Sequence, residues 1–112
     1  MMESQKKFEP VFSFEFFPPK TEEAAAKLRK AYKLLAPLKP RFCSVTYGAG
    51  GSTRERTCEA VLEIHRSETE AAPHISCIGS VREEICSLLR TYMAHGIRRI
   101  VALRGDMPSG MR

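Results

Sequence analysis

Four short apolar segments alternate with three longer amphipathic segments, and this alternation limits the folds open to the chain. The apolar segments read VFSFEFF, RFCSVTYG, APHISCIG and RRIVALRG, at 11–17, 41–48, 72–79 and 98–105. Their length and their β-branched and aromatic content are typical of strands. A repeated strand–helix–strand order with short connections predicts an α/β fold, in which parallel strands are joined by right-handed crossovers.

The amphipathic segments carry recognisable helix ends. Thr21 is the expected N-cap of the first helix, and Pro37 ends it. STRE at 52–55 and SVRE at 80–83 have the form of capping boxes for the second and third helices, and Gly96 supplies the last stop. The apolar positions expected to face the core are Leu28, Ala31, Tyr32 and Leu35, then Cys58, Val61, Leu62 and His65, then Ile85, Leu88, Leu89 and Tyr92.

Composition narrows the class of protein. A chain of 112 residues with 43% hydrophobic and 28% charged residues is expected to form one globular domain. No apolar run is long enough to cross a membrane, and the start MMESQKKFEP has no apolar core of a secretory signal, so we expect a cytoplasmic location. The four cysteines contain no C-x-x-C pair and are expected to be small buried side chains. His74 and Cys77 alone lack the further ligands that zinc requires, so no metal site is predicted.

The net charge of +5 raises the possibility of a nucleic-acid partner. The basic residues, however, are interleaved with glutamates and form no stripe. A solvated mixed surface is therefore favoured over a phosphate-binding patch, and no nucleic-acid partner is predicted.

A glycine-rich turn, GAGGST at 48–53, follows the second strand and opens the second helix. Thr53 stands where a dinucleotide-binding fingerprint would have its last glycine, and no P-loop lysine follows. Spacing alone leaves two interpretations open, a flexible strand-to-helix turn and a turn that contacts an anionic ligand.

Glu15 lies in the first strand among phenylalanines, two to three residues before Pro18 and Pro19 end that strand. Strand alternation places Phe12, Phe14 and Phe16 on one face and Glu15 on the other. The same alternation groups Ser44 with Thr46, and Ala102 with Arg104 and Asp106, on a face that becomes polar toward its carboxyl end.

The carboxyl ends of parallel strands carry the chemistry in α/β folds. We therefore expect a site in which five polar residues converge: Glu15, Thr46, His74, Arg104 and Asp106. The plain alternative is a buried ion pair between Glu15 and Arg104, with His74 as an ordinary core histidine.

Four stretches together closely resemble the methylenetetrahydrofolate reductases, in particular the short bacterial type: SFEFFPPK, FCSVTYGAGGSTRERT, PHISC and GIRRIVALRGDMP. The resemblance runs from about Val11 to Pro108 in the family's order and with similar spacing. It implies the fold of that family, so that this chain would supply the first four strands and three helices of a (βα)8 TIM-type barrel.

The resemblance also implies an activity and its cofactors. The family uses NADH or NADPH to reduce a bound FAD, and the flavin then reduces methylenetetrahydrofolate to methyltetrahydrofolate for one-carbon metabolism and methionine biosynthesis. A small-molecule folate substrate and, for a full-length protein, a homo-oligomer follow from the same resemblance.

Roles for single residues come from the resemblance as well. Glu15 corresponds to the general acid that protonates the folate, and Asp106 to a catalytic residue between flavin and folate that also contacts the substrate. Thr46 corresponds to a nicotinamide contact. The positions that correspond to flavin contacts are Tyr47, Ala49, His74, Arg104, Gly105 and Asp106.

The chain departs from the family in length, since a complete barrel needs about 250 residues. We therefore expect residues 1–10 to be an N-terminal tail and residues 11–112 to be the N-terminal half of an incomplete, truncated FAD-binding βα barrel, inactive when isolated. Two other classes remain open: a non-catalytic half-barrel that pairs with a partner through its open edges, and a basic domain that binds nucleic acid or phosphorylated metabolites.

Overall fold

A computed structural model describes residues 9–47 and 51–104, with side chains in the second range described from residue 54 onward. Within these ranges the elements alternate along the chain as β1 (Ser13–Phe16), α1 (Glu22–Leu35), β2 (Phe42–Val45), α2 (Gly51–Arg66), β3 (Ala71–Ser76), α3 (Arg82–Ala94) and β4 (Val101–Leu103). All strand pairs are parallel, and the order across the sheet is β1-β2-β3-β4. The predicted α/β fold with parallel strands is confirmed.

Three of the predicted helix ends are confirmed. The Thr21 hydroxyl accepts a hydrogen bond of 3.0 Å from the amide of Ala24, as an N-cap should. Helix α1 gives way to a 3-10 turn that contains Pro37. Gly96, at a φ of +83°, ends α3, because its amide donates to the carbonyl of Met93 while Ile97 donates to Tyr92. This pair of bonds is the Schellman arrangement, which requires a left-handed residue where Gly96 stands.

The two predicted capping boxes are wrong. Helix α2 already begins at Gly51, so Ser52 lies inside it. Helix α3 has Val81 as its N-cap, and among the described residues no hydrogen-bond partner meets the buried Ser80 hydroxyl. Ser80 is held instead in the preceding turn, where its amide donates to the Cys77 carbonyl. A short sequence pattern could not anticipate this turn, because the chain's entry into the helix decides which residue caps it.

The three helices share one core with one side of the sheet. Residues paired across parallel strands point the same way, so the register divides the strand residues into two sets. The side packed on the helices carries Phe14, Phe16, Cys43, Val45, Ala71 and Ile75. The opposite side, called the polar face below, carries Glu15, Ser44, Ala72 and His74. The predicted packing of this phenylalanine face on the helices is confirmed for Phe14 and Phe16, whereas Phe12 is 46% exposed and is not part of the core.

Helix α2 is rotated relative to its predicted stripe. Its buried residues are Thr57, Ala60, Val61 and Ile64, whereas Cys58, Leu62 and His65 are half-buried. The buried set keeps the i, i+3, i+4, i+7 spacing but begins one residue earlier. The sequence did not predict the stripe that begins at Thr57, because threonine carries a hydroxyl and is not counted as an apolar residue.

The predicted phase of the fourth strand is wrong. The register pairs His74 with Val101 and Ile75 with Ala102, so Ala102 lies on the helix side instead of the polar face. Alternation within a strand follows from the sequence, whereas the offset between two strands depends on pairing register, and a shift of one residue exchanges the faces.

The predicted burial of the cysteines is only partly confirmed. The four cysteines are free, and Cys43 is buried as expected, but Cys77 is exposed. In the part of the chain that the structure describes, no helix combines the length and apolar character that crossing a membrane would demand.

Candidate active site

The candidate site lies at the carboxyl edge of the sheet, where the parallel strands end together. Glu15 is the last but one residue of β1, and Thr46 and Tyr47 follow β2 directly. His74 lies within β3, two residues before its end, and not after the strand as the sequence had indicated. The edge therefore brings together residues that are far apart in sequence.

Glu15 and His74 meet on the polar face. Oε1 of Glu15 lies 3.2 Å from Nε2 of His74, and only 9% of the histidine side chain is exposed, compared with 55% of the glutamate. The two strands are not neighbours, since β2 runs between them. Ser44, the partner of Glu15 in the ladder, lies buried between them and is small enough for the two longer side chains to meet across it.

This geometry tests the plain alternative for Glu15. A buried ion pair with Arg104 is wrong, because the Glu15 carboxylate is more than half exposed and is beside His74. A carboxylate that is open to solvent on one side and lies beside a buried imidazole on the other can meet a ligand on that face. The predicted convergence of Glu15 with His74 is confirmed.

Both backbone polar groups of Thr46 are hydrogen-bonded. Its amide donates to the carbonyl of Phe16 over 2.9 Å, which extends the β1–β2 ladder beyond β2. Its carbonyl accepts a 2.9 Å hydrogen bond from the hydroxyl of Thr57 in α2. The sequence did not predict a role for Thr57 at the site. The one signal for it was the buried helix stripe that begins at this residue.

Tyr47 is half-buried and packs against the hydrophobic core. The guanidinium carbon of Arg54 lies 5.7 Å from the centre of the Tyr47 ring, which is within cation–π range. Arg54 in turn donates a 3.1 Å hydrogen bond to Glu84 in the first turn of α3. That hydrogen bond raises the pKa of Arg54, so this guanidinium stays charged.

The other predicted site residues are not assembled in the described part of the chain. Arg104 follows the end of β4 and is exposed. Ala49, Gly105 and Asp106 lie outside the described residues.

A cavity of about 210 Å³ lies elsewhere, at the amino-terminal edge of the sheet. It is bordered by the end of α2 and the starts of β3 and β4, with His65, Glu70 and Ile97 among its lining residues. In βα architectures this end usually serves stability, whereas ligands bind at the carboxyl end. The cavity is therefore not assigned to the candidate site.

Comparison with known proteins identifies the family. A family model described as methylenetetrahydrofolate reductase matches residues 1–112. A protein of Salmonella typhimurium named 5,10-methylenetetrahydrofolate reductase is 50% identical over 99 residues, which are 88% of this chain and 33% of that protein. The Escherichia coli protein of the same name is 48% identical over 99 residues, with the same shares. An Arabidopsis thaliana protein named methylenetetrahydrofolate reductase (NADH) 1 is 41% identical over 100 residues, which are 88% of this chain and 17% of that protein.

The chain thus spans about a third of the length of the bacterial relatives it matches. The match covers the strands that carry Glu15, Thr46 and His74. This chain belongs to the methylenetetrahydrofolate reductase family.

Proposed function

We propose that this chain forms part of an FAD-dependent enzyme that reduces 5,10-methylenetetrahydrofolate to 5-methyltetrahydrofolate with NADH or NADPH. The reaction belongs to one-carbon metabolism and supplies methionine biosynthesis. Membership of the family supports the reaction. The observation that carries the proposal is the Glu15–His74 pair on the polar face, because it joins an accessible carboxylate to a buried imidazole at the carboxyl edge.

The proposal includes a barrel. The strand order β1-β2-β3-β4 runs in one direction without reversal, as in a closed βα barrel, whereas doubly wound sheets reverse their order at a switch point. In a barrel the polar face would line the interior, and the helix side would lie outside. We propose that these strands and helices are the first part of such a barrel.

Glu15 acts as the general acid in this proposal. Protonation of the folate opens its methylene bridge to a reactive iminium, and the acid must reach the bridge nitrogen to do so. Glu15 has the exposure that such contact requires, and one of its carboxylate oxygens lies 3.2 Å from Nε2 of His74. In this proposal the imidazole lies beside that oxygen, and the exposed part of the carboxylate meets the substrate.

The residues of the polar face fit a flavin. Two small residues, Ser44 and Ala72, occupy its central strands and leave no bulky side chain in the way of a flat ring system. Polar groups of Glu15 and His74 lie on the same face, beside these two small residues. When bound there, FAD would carry the reducing equivalents from the nicotinamide to the folate.

Roles for the other residues remain proposals. We assign Thr46 to the nicotinamide, and Tyr47, His74 and Arg104 to the flavin. Three further assignments concern positions outside the described residues: Ala49 and Gly105 as flavin contacts, and Asp106 as the residue between flavin and folate.

The name of one relative bears on whether the reductant is NADH or NADPH. The name of the Arabidopsis protein specifies NADH, which supports NADH over NADPH for this chain. A cytoplasmic location, assembly with further copies in the full-length protein and the absence of a nucleic-acid partner remain predictions. A steep salt dependence of binding to a polyanion would contradict the last of these.

A chimeric enzyme tests the proposal. Residues 1–112 of this chain would replace the matching first third of the Salmonella typhimurium relative, and NADH oxidation would be measured with methylenetetrahydrofolate as acceptor. We expect reductase activity that depends on flavin and on Glu15. A folded, flavin-loaded chimera that forms no methyltetrahydrofolate would overturn the proposal.

A further inference from the structure

The β2–α2 connection is tied to α2 by a hydrogen bond that a helix would not ordinarily make. A threonine inside a helix can return its hydroxyl to the carbonyl four residues earlier. Thr57 donates instead to the carbonyl of Thr46, which is eleven residues earlier and outside the helix. Thr57 is only 2% exposed, so water cannot readily replace this bond.

A second tie lies one turn away on the same helix face. Arg54 precedes Thr57 by three positions, and residues with this spacing are neighbours on a helix surface. Its guanidinium covers the ring of Tyr47 at 5.7 Å and is held by Glu84 of α3 at 3.1 Å. Two consecutive residues, Thr46 and Tyr47, are therefore each held by a different side chain of α2.

We propose that Thr57 and Arg54 are positioning residues that hold the Thr46–Tyr47 dipeptide in place for the nicotinamide and the flavin. This inference rests on the proposed function, because it takes Thr46 and Tyr47 as ligand contacts. Neither Thr57 nor Arg54 needs to touch a ligand. Thr57 fixes the backbone of the contact residue, and Arg54 fixes the ring beside it.

The choice of threonine at position 57 favours a positioning role over simple packing. Valine has nearly the shape of threonine and would suit a buried helix position, but it would leave the Thr46 carbonyl without its donor. The amide of the same residue is already bonded to Phe16 of β1. The Thr57 hydroxyl therefore adds a second, independent restraint, and it does so at the residue that the site uses. Misplacement of a contact by about 1 Å can cost roughly a hundredfold in rate.

Amide hydrogen exchange in the 112-residue chain tests whether Thr57 holds the backbone of Thr46 in place. In Thr57→Val the Thr46 amide keeps its partner Phe16, but loss of the bond to the Thr46 carbonyl should ease local opening, so we expect this amide to exchange about tenfold faster or more while amides in α3 keep their rates. Thr57→Ser retains the hydroxyl and should keep the slow exchange. An unchanged Thr46 rate in Thr57→Val, or an equal increase in Thr57→Ser, would overturn the role of Thr57.

If Thr57→Val unfolds the chain, amides throughout α3 will exchange faster. Variants of Arg54 then test the positioning of Tyr47 separately. Arg54→Met keeps the length of the side chain but removes the charge and the bond to Glu84. We expect altered chemical shifts of the Tyr47 ring in Arg54→Met and smaller changes in Arg54→Lys. Tyr47 shifts identical to those of the parent in Arg54→Met would overturn the role of Arg54.

Kinetics in the chimera distinguish positioning from simple stabilisation. Thr57→Val should raise KM for NADH about tenfold, with a smaller change in KM for the folate, and Thr57→Ser should restore it. Equal changes in both KM values, with unchanged kcat and a lower melting temperature, would mean that Thr57 only stabilises the fold. A folded, flavin-loaded chimera without any activity would refute the proposed function, whereas the exchange measurements in the 112-residue chain would still test the positioning role of Thr57.

Discussion

The carboxylate of Glu15 lies 3.2 Å from Nε2 of His74, although the strands that carry them are not adjacent. The contact depends on the small side chain of Ser44 on the strand between them. The two residues differ in exposure, since His74 is buried and Glu15 reaches solvent. One residue is thus fixed in the sheet while its partner can meet a ligand.

Replacing Glu15 should separate the two halves of the proposed reaction. In the chimeric reductase, Glu15→Gln keeps the size of the side chain but cannot donate a proton as an acid. We expect folate reduction to fall by a factor of about 10² or more, while NADH still reduces the flavin at its former rate. Stopped-flow absorbance of the flavin follows both half-reactions. Glu59→Gln, at an exposed position of α2, is the matched control and should leave both rates unchanged. An equal loss in both half-reactions would mean that Glu15 has a structural role.

The meeting of Glu15 and His74 could be predicted in part. Alternation along β1 assigns Glu15 to a face, and parallel strands end at a common edge, but His74 lies within β3 and not after it as predicted. The phase of β4 could not be predicted in the same way. Its three residues contain little to distinguish one register from the next, and pairing of His74 with Val101 places Ala102 on the opposite side from Ser44.

Thr57 and Ser80 mark two other limits of sequence reasoning. Thr57 forms part of the core of α2 and also bonds a loop, but its hydroxyl excludes it from an apolar stripe. Ser80 has the spacing of a helix cap, yet the turn that begins at Cys77 holds it outside the helix. In both cases a tertiary or turn contact outweighs the local pattern.

Ile64 should contribute strongly to stability. Its side chain is fully buried in α2 among core residues of the sheet. We expect Ile64→Val to lower the free energy of unfolding by about 0.5–1.5 kcal/mol and Ile64→Ala by about 2–5 kcal/mol, because each leaves a larger cavity. Leu34→Ala, at a position in α1 that is 70% exposed, should stay within about 0.5 kcal/mol. Urea unfolding followed by circular dichroism measures all three. A cost for Ile64→Ala as small as that of Leu34→Ala would show that Ile64 is not packed in the core.

Two glycines offer a matched test of the left-handed backbone. Gly96→Ala and Gly79→Ala both place a side chain at positive φ, +83° and +72°, which costs about 1–2 kcal/mol. Only at Gly96 would the new Cβ meet a neighbour, at 3.3 Å from Nε2 of His65, whereas nothing lies within 4 Å at Gly79. We therefore expect Gly96→Ala to be the more destabilising in thermal unfolding. In a His65→Ala background the two costs should become equal, and a persistent difference would exclude His65 as its cause.

Stability should decrease at alkaline pH, in part through Tyr92. Burial raises the pKa of this tyrosine above its ordinary value, and the nearby Cys58 adds to the effect. Above pH 10 the unfolded chain loses the tyrosine proton while the folded chain keeps it, so unfolding becomes more favourable. The stabilising contribution is complete below pH 10 and is lost as the pH rises above it, with a slope of up to about 1.4 kcal/mol per pH unit.

Urea unfolding of Tyr92→Phe between pH 8 and pH 11 tests this linkage. Phenylalanine has no proton to lose, so the variant should show a shallower alkaline slope than the parent. Some slope should persist, because burial also raises the pKa of Cys43. Identical slopes in the two proteins would show that the Tyr92 hydroxyl ionises as easily in the folded chain as in the unfolded one.

The 112-residue chain, produced by itself, should self-associate. Strands β1 and β4 are the two edges of the described sheet, and each exposes apolar side chains, with Phe17 just after β1 75% exposed and Leu103 of β4 43% exposed. An exposed strand edge pairs readily with another chain, and an edge lysine opposes such pairing. We expect Leu103→Lys to shift the chain toward the monomer in size-exclusion chromatography. Leu34→Lys adds the same charge to an exposed leucine of α1, away from both edges, and should leave the elution volume unchanged.

The same chromatogram, recorded at a flavin wavelength, tests whether this chain suffices to hold the cofactor. Of the flavin contacts proposed above, the described residues include Tyr47, which packs against the core, and His74 on the polar face, while Arg104 is exposed beyond β4. Few contacts and an uncovered polar face should give weak binding, because affinity depends on enclosing most of the ligand surface. We expect helical circular dichroism, associated species and no yellow colour. A monomeric peak that carries stoichiometric FAD would show that these strands form a complete flavin site without further chain.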